Sequence, residues 1–249
     1  MYTLYVIPGS HACGAAMLML EHKQVSYRRV EVITLTHPLV VRLRGFDAGG
    51  ERRVAGGRRP RPLRAGDRYG TVPALAVDGQ RVSTNRQIAR FLDDRYPEPS
   101  LFPADPGQRR AVEEAERWAN DTLQMAARRI ALAWAARDPL AMSRATADGR
   151  MGYLLYQRAL TRRLIIPLIG RFVFAVDRAD PDLLTGLPSM LDRIDAWIAD
   201  GVLGGEQLNA ADFMVAPSLA LILYRPDVVA LFEGRPAREL VDRLLPEPA

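Results

Sequence analysis

The chain has 249 residues, of which 48% are hydrophobic and 25% are charged. These proportions are typical of a soluble globular protein, and the length allows two small domains with a sizeable core. The net charge of +5 depends on arginine, because Lys23 is the only lysine. This bias indicates GC-rich, bacterial coding, and a basic chain without a reading motif does not predict a nucleic-acid partner.

Secretion, membrane insertion and metal binding are also disfavoured. The first residues lack the basic flank and long apolar run of a signal peptide. The most apolar run, 164–176, contains Pro167 and Arg171, so we expect a buried helix there and no membrane span. The single cysteine, Cys13, rules out a disulfide framework and fits a reducing, cytoplasmic compartment. Three scattered histidines and one cysteine form no cluster with metal-ligand spacing.

The N-terminal segment predicts a βαβ unit. An apolar run from Thr3 to Ile7 ends at a Pro-Gly-Ser turn and is typical of a buried strand. Good helix formers follow from Ala12 to Glu21, and Ser10 stands where the helix N-cap belongs. The segment 25–32 alternates weakly and predicts the second strand. Strand, helix and strand in this order make a βαβ unit.

The pattern weakens between residues 34 and 70. Leu39 to Leu43 predicts a short helix. The stretch from Asp47 to Tyr69 holds seven arginines together with many glycines and prolines, so we expect an exposed, mobile loop. This loop is either a solvated insertion, as charge runs usually are, or an anion-attracting flap over a ligand.

The next segment predicts a β-hairpin that leads into a helix. Pro73 has no N–H to give to a sheet, so it belongs at the first residue of an edge strand, where the preceding peptide bond can be cis. Asp78-Gly79 is a two-residue turn. Asn85 is placed to cap the helix. The apolar positions of this helix are Ile88, Phe91 and Leu92.

The proline-rich stretch from Tyr96 to Gly107 marks a domain boundary, because it cannot continue a helix. Beyond it, apolar residues recur at helical spacing over 109–137 and 183–198. Two further helical stretches are expected at about 142–160 and 164–176. No strand signal occurs in this part of the sequence, so the second domain is predicted to be all α.

A predicted capping box is the sharpest motif of the second domain. Asn209 can cap a helix, while Asp212, three residues on, reaches back to the backbone N–H of the cap. Leu208 and Phe213 are then placed as a hydrophobic staple.

The Val-Pro hairpin and the capping box together resemble the glutathione transferase superfamily. The hairpin is similar to the second half of its thioredoxin-like domain, and the capping box to that of its core helix. The resemblance implies the class α/β plus all-α, with a thioredoxin-like N-terminal domain over residues 1–97. An all-helical glutathione-transferase C-terminal domain would follow over residues 105–249. It also implies a cytoplasmic homodimer.

The resemblance further implies a site for glutathione as co-substrate. Ser10 matches the activating residue of the serine-type members, whose hydroxyl donates to the glutathione thiolate. A helix N-terminus at that point favours a thiolate. Alternatively, Ser10 is only a helix cap. In this family the Val-Pro bond is cis, and the backbone beside it pairs with the cysteinyl part of glutathione. The implied thiol-binding residues are His11, Ala12, Thr71, Val72, Pro73, Thr84 and Asn85.

Two of these positions depart from the family pattern. Thr84 stands where members usually carry an acidic residue that binds the γ-glutamyl amine, and Asn85 stands where they usually carry serine. The thiol is therefore either glutathione or another low-molecular-weight thiol. Arg86 is an alternative partner for a ligand carboxylate.

Ser10-His11-Ala12-Cys13 resembles a glutaredoxin Cys-x-x-Cys whose first cysteine is serine, which argues against disulfide reductase chemistry. Cys13 is either a buried helical cysteine or a possible redox residue that forms a mixed disulfide with glutathione. His11 either hydrogen-bonds a ligand carboxylate, or shuttles a proton, or is a plain surface residue.

The resemblance implies a detoxification-type transferase that adds the activated thiol to an electrophilic, apolar small molecule. Two alternatives stay open: a non-catalytic binding or scaffold protein that has lost the thiol site, and a thiol-disulfide reductase that uses Cys13. The electrophile pocket would lie between the domains, at residues that are equally well interpreted as core. These are Trp118, Leu123, Met125, Tyr153 and Tyr156. We expect no nucleic-acid or membrane partner.

Overall fold

The computed structural model describes residues 1–7, 9–33, 36–46, 72–138 and 176–246. The arginine-rich stretch 47–69 and the helix expected over 142–160 lie outside the described residues. So do most of the helix expected over 164–176 and three of the proposed site residues, Thr71, Tyr153 and Tyr156.

The N-terminal part is a four-stranded sheet with helices. Its elements are β1 (Tyr2–Val6), α1 (His11–His22), β2 (Tyr27–Glu31), α2 (His37–Leu43), β3 (Ala74–Val77), β4 (Gln80–Ser83) and α3 (Asn85–Arg95). The strand order is β2-β1-β3-β4, with β1 parallel to β2 and antiparallel to β3, and β3 antiparallel to β4. This is the predicted thioredoxin-like arrangement, with the predicted βαβ unit at its start.

The strand after Pro73 is an inner strand, so the expectation of an edge strand there is wrong. The edges are β2 and β4. The ladder between β1 and β3 begins at Ala74, which pairs with Tyr5, so Pro73 lies just outside it and no N–H is required of it. The Val72–Pro73 bond is cis, as the resemblance implies. Asp78 and Gly79 form the predicted turn, both with positive φ.

The described C-terminal part consists of helices and the loops that join them. Its elements are α4 (Pro106–Trp118), a π-helical segment (Ala119–Leu123), α5 (Gln124–Arg137), α6 (Val176–Ala199), α7 (Ala210–Leu223), a 3-10 helix (Pro226–Phe232) and α8 (Pro236–Leu244). Residues 106–138 and 176–246 contain no strand, in line with the predicted fold class. Within the described ranges, no helix is both long and apolar enough to cross a membrane.

The π-helical segment interrupts what the sequence predicts as one helix over 109–137. The N–H of Gln124 donates to the carbonyl of Ala119, five residues back, which gives a wider turn than an α-helix has. The core positions around this turn are separated by four residues each, and a regular α-helix would rotate such a run away from the core. The wider turn keeps them on one face. These fully buried positions are Ala115, Ala119, Leu123 and Ala127.

Helix α7 lies at the centre of the molecule. It is buried from Ala210 to Ile222 and packs against α1 and α3 as well as α4, α5 and α8. The predicted capping box is confirmed: the N–H of Ala211 donates to Asn209 Oδ1, and the N–H of Asn209 donates to Asp212 Oδ2, both at 2.9 Å. Asp212 Oδ1 also accepts from the N–H of Gly204 at 2.7 Å.

A buried carboxylate joins α3 to α4. Glu116 is fully buried, and Arg90 binds it through two parallel bonds, Nη1 to Oε1 at 2.7 Å and Nη2 to Oε2 at 2.9 Å. Arg86 Nε donates to Oε2 at 3.3 Å. The Arg90 guanidinium also lies 4.7 Å from the ring centroid of Phe102. Arg86 therefore serves a carboxylate of the protein, which disfavours its use for a ligand carboxylate.

The single lysine links the ends of α1 and α3. The Lys23 side chain has no exposed surface, and its Nζ donates to Asp93 Oδ1 at 2.9 Å and to the carbonyl of Tyr96 at 2.5 Å. Asp93 Oδ1 also accepts from the N–H of Leu101 at 2.6 Å. The bonds anchor the chain where it leaves the sheet region for the helices.

We expect Arg90→Leu to lower the free energy of unfolding by about 3 kcal/mol. Of the two arginines that bind the buried Glu116 carboxylate, only Arg86 then remains. Urea unfolding followed by circular dichroism measures this. The matched control is Arg110→Ala, which removes an exposed arginine of α4 and should change stability by no more than about 0.5 kcal/mol. Equal effects of the two substitutions would contradict the prediction.

Candidate functional site

Three segments converge along the edge of the sheet that is formed by the strand ends, which runs across the strands and not along the outer strands β2 and β4. Strands β1 and β4 run in the same direction, because each is antiparallel to β3. Their C-terminal ends therefore meet the start of β3 at one edge. Helix α1 begins after β1 and α3 begins after β4, so the N-termini of both helices lie at this edge, beside the cis Val72–Pro73 bond. The topology thus brings together Ser10, Pro73 and Thr84.

Ser10 caps α1, in line with one of its two predicted interpretations. Its backbone N–H donates to the carbonyl of Ile7 at 3.1 Å, and its Oγ accepts from the N–H of Cys13 at 3.4 Å. The residue is half-buried. A hydroxyl can accept one hydrogen bond and donate another, so the cap leaves the proton on Oγ able to serve a group at this edge.

Cys13 is 1% exposed and lies within the first turn of α1. The N–H of Ile7 donates to its Sγ at 3.5 Å. Burial raises the pKa of the Cys13 thiol, while the Ser10 hydroxyl, the Ile7 N–H and the Arg128 guanidinium oppose that rise. A buried thiol that resists ionisation is a poor nucleophile, so the geometry favours a buried helical cysteine over a redox residue.

His11 is 3% exposed, so the expectation of a surface residue is wrong. Its Nε2 lies 3.2 Å from the backbone carbonyl oxygen of Gln124 on α5. A carbonyl only accepts, so Nε2 carries the proton in this contact. Burial, followed by the charge of Arg128, lowers the pKa of His11 to about 3. The ring is thus a neutral link between α1 and α5, which does not suit a proton shuttle. Ala12 beside it is buried as well.

Thr84 caps α3, so the expectation that Asn85 is the cap is wrong. Thr84 Oγ1 accepts from the N–H of Gln87 at 3.4 Å, and the Thr84 N–H donates to the carbonyl of Pro73 at 3.3 Å. The Thr84 backbone has φ 71° and ψ 147°. This region is essentially reserved for glycine, so a β-branched residue there is strained. The strain stands beside the cis bond, at the edge where the helices begin.

Asn85 is the first residue of α3 and is 3% exposed. Its Oδ1 is buried and has no hydrogen-bond partner among the described residues. Val72, next to the cis bond, is also buried, and none of the described residues forms a hydrogen bond with its backbone. Buried polar groups are rarely left unpaired, so both positions have hydrogen-bonding capacity that a bound molecule could use.

The residues proposed for an electrophile pocket lie partly in the core. Leu123 is fully buried. Trp118 packs edge-on against Trp197 of α6 at a centroid distance of 5.3 Å, and the Arg193 guanidinium lies 5.3 Å from the first ring and 4.6 Å from the second. Met125 is half-buried. These contacts give Trp118 a structural role between α4 and α6.

The site offers the positive ends of two helices, a serine hydroxyl, and backbone and amide groups that have no partner within the described ranges. Helix N-termini attract anions, and a thiolate is such an anion. In the described ranges, no group of three or more His, Cys, Asp or Glu residues could hold a metal ion. The arrangement is therefore suited to binding an anionic sulfur and to holding its carrier by backbone hydrogen bonds.

Comparisons with known proteins agree with this fold. Residues 4–100 match the family model described as glutathione S-transferase, N-terminal domain. No curated protein matches the chain. Among solved structures, a glutathione S-transferase from Rhodospirillum rubrum F11 is similar with 20% identity and a TM-score of 0.57, over 100% of this chain and 89% of that one.

Two further structures have the same fold. Glutathione transferase F2 from Populus trichocarpa shares 16% identity, with a TM-score of 0.59, over 98% of this chain and 92% of that one. A maleylacetoacetate isomerase from Anaeromyxobacter dehalogenans 2CP-1, with bound GSH in the active site, shares 18% identity, with a TM-score of 0.52, over 98% and 89%. At these identities the similarity establishes the fold.

We expect acid to destabilise the folded chain through His11. Its pKa is near 6.5 when unfolded and about 3 when folded, so the unfolded state binds more protons between these values. The stability that the neutral ring contributes is complete above pH 6.5 and is lost as pH falls toward 3. Urea unfolding between pH 7 and pH 4 should show a smaller loss of unfolding free energy for His11→Gln than for the unmodified chain. The glutamine amide can donate to the same carbonyl but does not take up a proton. His22 and His37 are present in both the unmodified chain and the variant, so their protonation does not cause a difference between the two. An equal dependence of the unfolding free energy on pH in both proteins would contradict the prediction.

We expect Thr84→Gly to raise the free energy of unfolding by about 1 kcal/mol, because relief of the backbone strain outweighs the loss of the capping oxygen, which at a glycine N-cap costs only a few tenths of a kcal/mol. The matched variant Thr84→Ala keeps the strained backbone and removes the capping oxygen, so it should lower stability by about 1 kcal/mol. Thermal and urea unfolding measure both. If glycine destabilised the protein more than alanine does, the strain at this residue would be disproved.

Proposed function

We propose that the chain belongs to the glutathione S-transferase superfamily, whose N-terminal domain model matches residues 4–100, and that it activates a glutathione-like thiol with the Ser10 hydroxyl and adds it to an electrophile. The observation that carries this proposal is the position of Ser10. It lies at the N-terminus of α1, at the same sheet edge as the cis Val72–Pro73 bond and the N-terminus of α3.

The backbone of Val72 would hold the thiol by pairing with its cysteinyl part. Support comes from the absence of any hydrogen bond between this backbone and the described residues. The isomerase from Anaeromyxobacter dehalogenans, which shares the fold, holds GSH in its active site. Glutathione is the first candidate ligand, and another low-molecular-weight thiol is the second, because Thr84 offers no carboxylate to a γ-glutamyl amine.

In this reaction the protein has two roles, to stabilise a thiolate and to position it against the electrophile. The thiol loses its proton to solvent, and the Ser10 O–H donates to the sulfur anion, which the N-terminus of α1 also stabilises. The sulfur then attacks an electrophilic carbon and forms the C–S bond. In a substitution the leaving group departs with the electron pair of its bond to that carbon. In an addition to a double bond the π electrons move to the neighbouring carbon, which takes a proton from solvent. Holding both reactants together supplies the remaining rate gain.

A second candidate function, non-catalytic binding, also has support. Ser10 Oγ already accepts the Cys13 N–H, so its hydroxyl has a structural role without any ligand. Thr84 lacks the carboxylate that the family pattern places there. Under this alternative the chain is a scaffold or binding protein with the same fold. The burial of Cys13 disfavours the third candidate, a thiol-disulfide reductase.

We also propose the assembly and domain boundaries that the superfamily resemblance implies. The chain would be a cytoplasmic homodimer with an N-terminal domain over residues 1–97 and a C-terminal domain over residues 105–249.

The Ser10 proposal is tested by comparing Ser10→Ala with Ser10→Asn. Asparagine is a good helix cap but has no hydroxyl, so it should preserve stability, whereas alanine should cost about 1 kcal/mol. Both variants should lower kcat/KM for thiol addition by about 10- to 100-fold, the effect of one hydrogen bond to a charged group. The assay is conjugation to 1-chloro-2,4-dinitrobenzene, with glutathione and a mycothiol-type thiol in parallel.

Loss of activity in both variants, with a stable Asn variant, assigns the effect to the hydroxyl. Full activity of Ser10→Asn would reduce Ser10 to a helix cap. Absence of thiol binding by the unmodified protein, measured by calorimetry, would favour the binding or scaffold function.

A further inference from the structure

We propose that the side of the sheet that carries α2 docks reversibly onto the surface of an anionic lipid bilayer. This side is called the α2 face below. The attachment is a second property of the chain and does not depend on the thiol chemistry. It departs from the expectation of no membrane partner, which rested on the lack of an apolar run long enough to span a bilayer.

Helix α2 exposes leucines on the side opposite its buried residues. His37 and Val41 are one turn apart and are buried. Leu39 and Leu43 are also one turn apart and lie on the opposite side of the helix, where they are 62% and 78% exposed. Ile33, just before the helix, is 67% exposed. These are three of the four large hydrophobic side chains that are exposed in the described ranges. An apolar cluster that stays out of the core marks an interaction surface.

The strand register places two arginines on the same face of the sheet as α2. Thr3 of β1 pairs with Arg28 of β2 on one side and with Ala76 of β3 on the other, and Ala76 pairs with Arg81 of β4. Paired residues of neighbouring strands point to the same face, so Arg28 and Arg81 end one row across the sheet. Arg81 Nε donates to the carbonyl of Arg44, the C-cap of α2, at 2.9 Å, which places this row on the α2 side.

The charge of the α2 face is positive throughout the described residues. Its exposed charged side chains are Arg28, Arg42, Arg44 and Arg81. Residues 36–46 contain no Asp or Glu, and neither do the strand positions that point to this face. Apolar side chains surrounded by cations suit a partner that presents negative charge above an apolar layer.

An anionic bilayer surface fits this face better than a protein does. A stable protein interface covers about 800 Å² on each partner, whereas three partly exposed aliphatic side chains offer roughly 300 Å². A second copy of the chain is disfavoured further, because a symmetric contact through this face would bring arginines against arginines. A bilayer surface needs only a few apolar side chains that enter the headgroup boundary, together with cations that the anionic headgroups attract.

The test is co-sedimentation with vesicles of phosphatidylcholine, with and without added phosphatidylglycerol. The unmodified chain is compared with two double variants of the α2 face. The first combines Leu39→Ser with Leu43→Ser, and the second combines Arg28→Gln with Arg42→Gln.

The matched control combines Arg110→Gln with Arg117→Gln, which removes the same charge from exposed positions of α4. Urea unfolding and analytical ultracentrifugation of each protein accompany the binding measurements. Because the substituted side chains are exposed, the urea midpoint should not change in any variant.

The unmodified chain should bind the vesicles that contain phosphatidylglycerol at least about tenfold more tightly than those without it, and added salt should weaken this binding. Both variants of the α2 face should lose at least about tenfold in affinity for the anionic vesicles. The control should stay within about threefold of the unmodified chain, because charges distant from the bilayer are screened.

Failure of the unmodified chain to bind anionic vesicles overturns the proposal, and so does unchanged binding by the leucine variant. An equal loss in the control and the arginine variant also overturns it, because it would show a general attraction of a basic protein. A lower urea midpoint of the leucine variant would mean that another part of the chain packs on these leucines. Self-association that this variant abolishes would assign the face to a second copy. Either result overturns membrane docking, and the proposed thiol chemistry is unaffected by all of them.

Discussion

Burial of α7 is the constraint on which the rest of the structure depends. A helix with no side exposed to water cannot satisfy its first N–H groups by solvation, so the chain must supply acceptors. Asn209 and Asp212 do so, and Asp212 additionally ties down Gly204. The cost is visible in the electrostatics, because burial raises the pKa of Asp212 to about 6. Helix α1 packs on α7, so the position of Ser10 depends indirectly on this cap.

Two titratable side chains at the start of α1 are held in their uncharged forms. His11, which could have been a cation, is held neutral by burial and by Arg128, and Cys13 is held as a thiol. The N-terminal ends of α1 and α3 therefore have no protein thiolate to stabilise. In the proposed function, an anionic sulfur from outside would meet two favourable helix ends.

Features with local causes can be predicted from the sequence, and features with distant causes cannot. The hairpin at Asp78-Gly79 and the capping box at Asn209 depend on residues a few positions apart, and both are present. The burial of His11 depends on Gln124, far along the chain, and no local signal marks it. The sequence places the cap of α3 one residue too late, because the positive φ of Thr84 contradicts the ordinary preference of threonine.

The same division applies within the helices. The helical spacing over 109–137 predicts the correct element type, yet the π-helical turn is visible only in a run of core positions separated by four residues. The residues of that run are plain in the sequence, but their burial is not. Other alanines of this helix, Ala126, Ala131, Ala133 and Ala135, are buried as well, so the spacing of the alanines alone does not single out the four-residue run.

The buried Lys23 leaves the chain without an accessible lysine, since it is the single lysine in the sequence and its side chain has no exposed surface. Reagents that acylate lysine amines, and enzymes that modify them, therefore meet no reactive ε-amine while α1 and α3 stay joined. Acylation of Lys23 requires the contact with Asp93 and Tyr96 to open. The chain thus contains its own chemical reporter for the separation of these two helices, readable by mass at a single position.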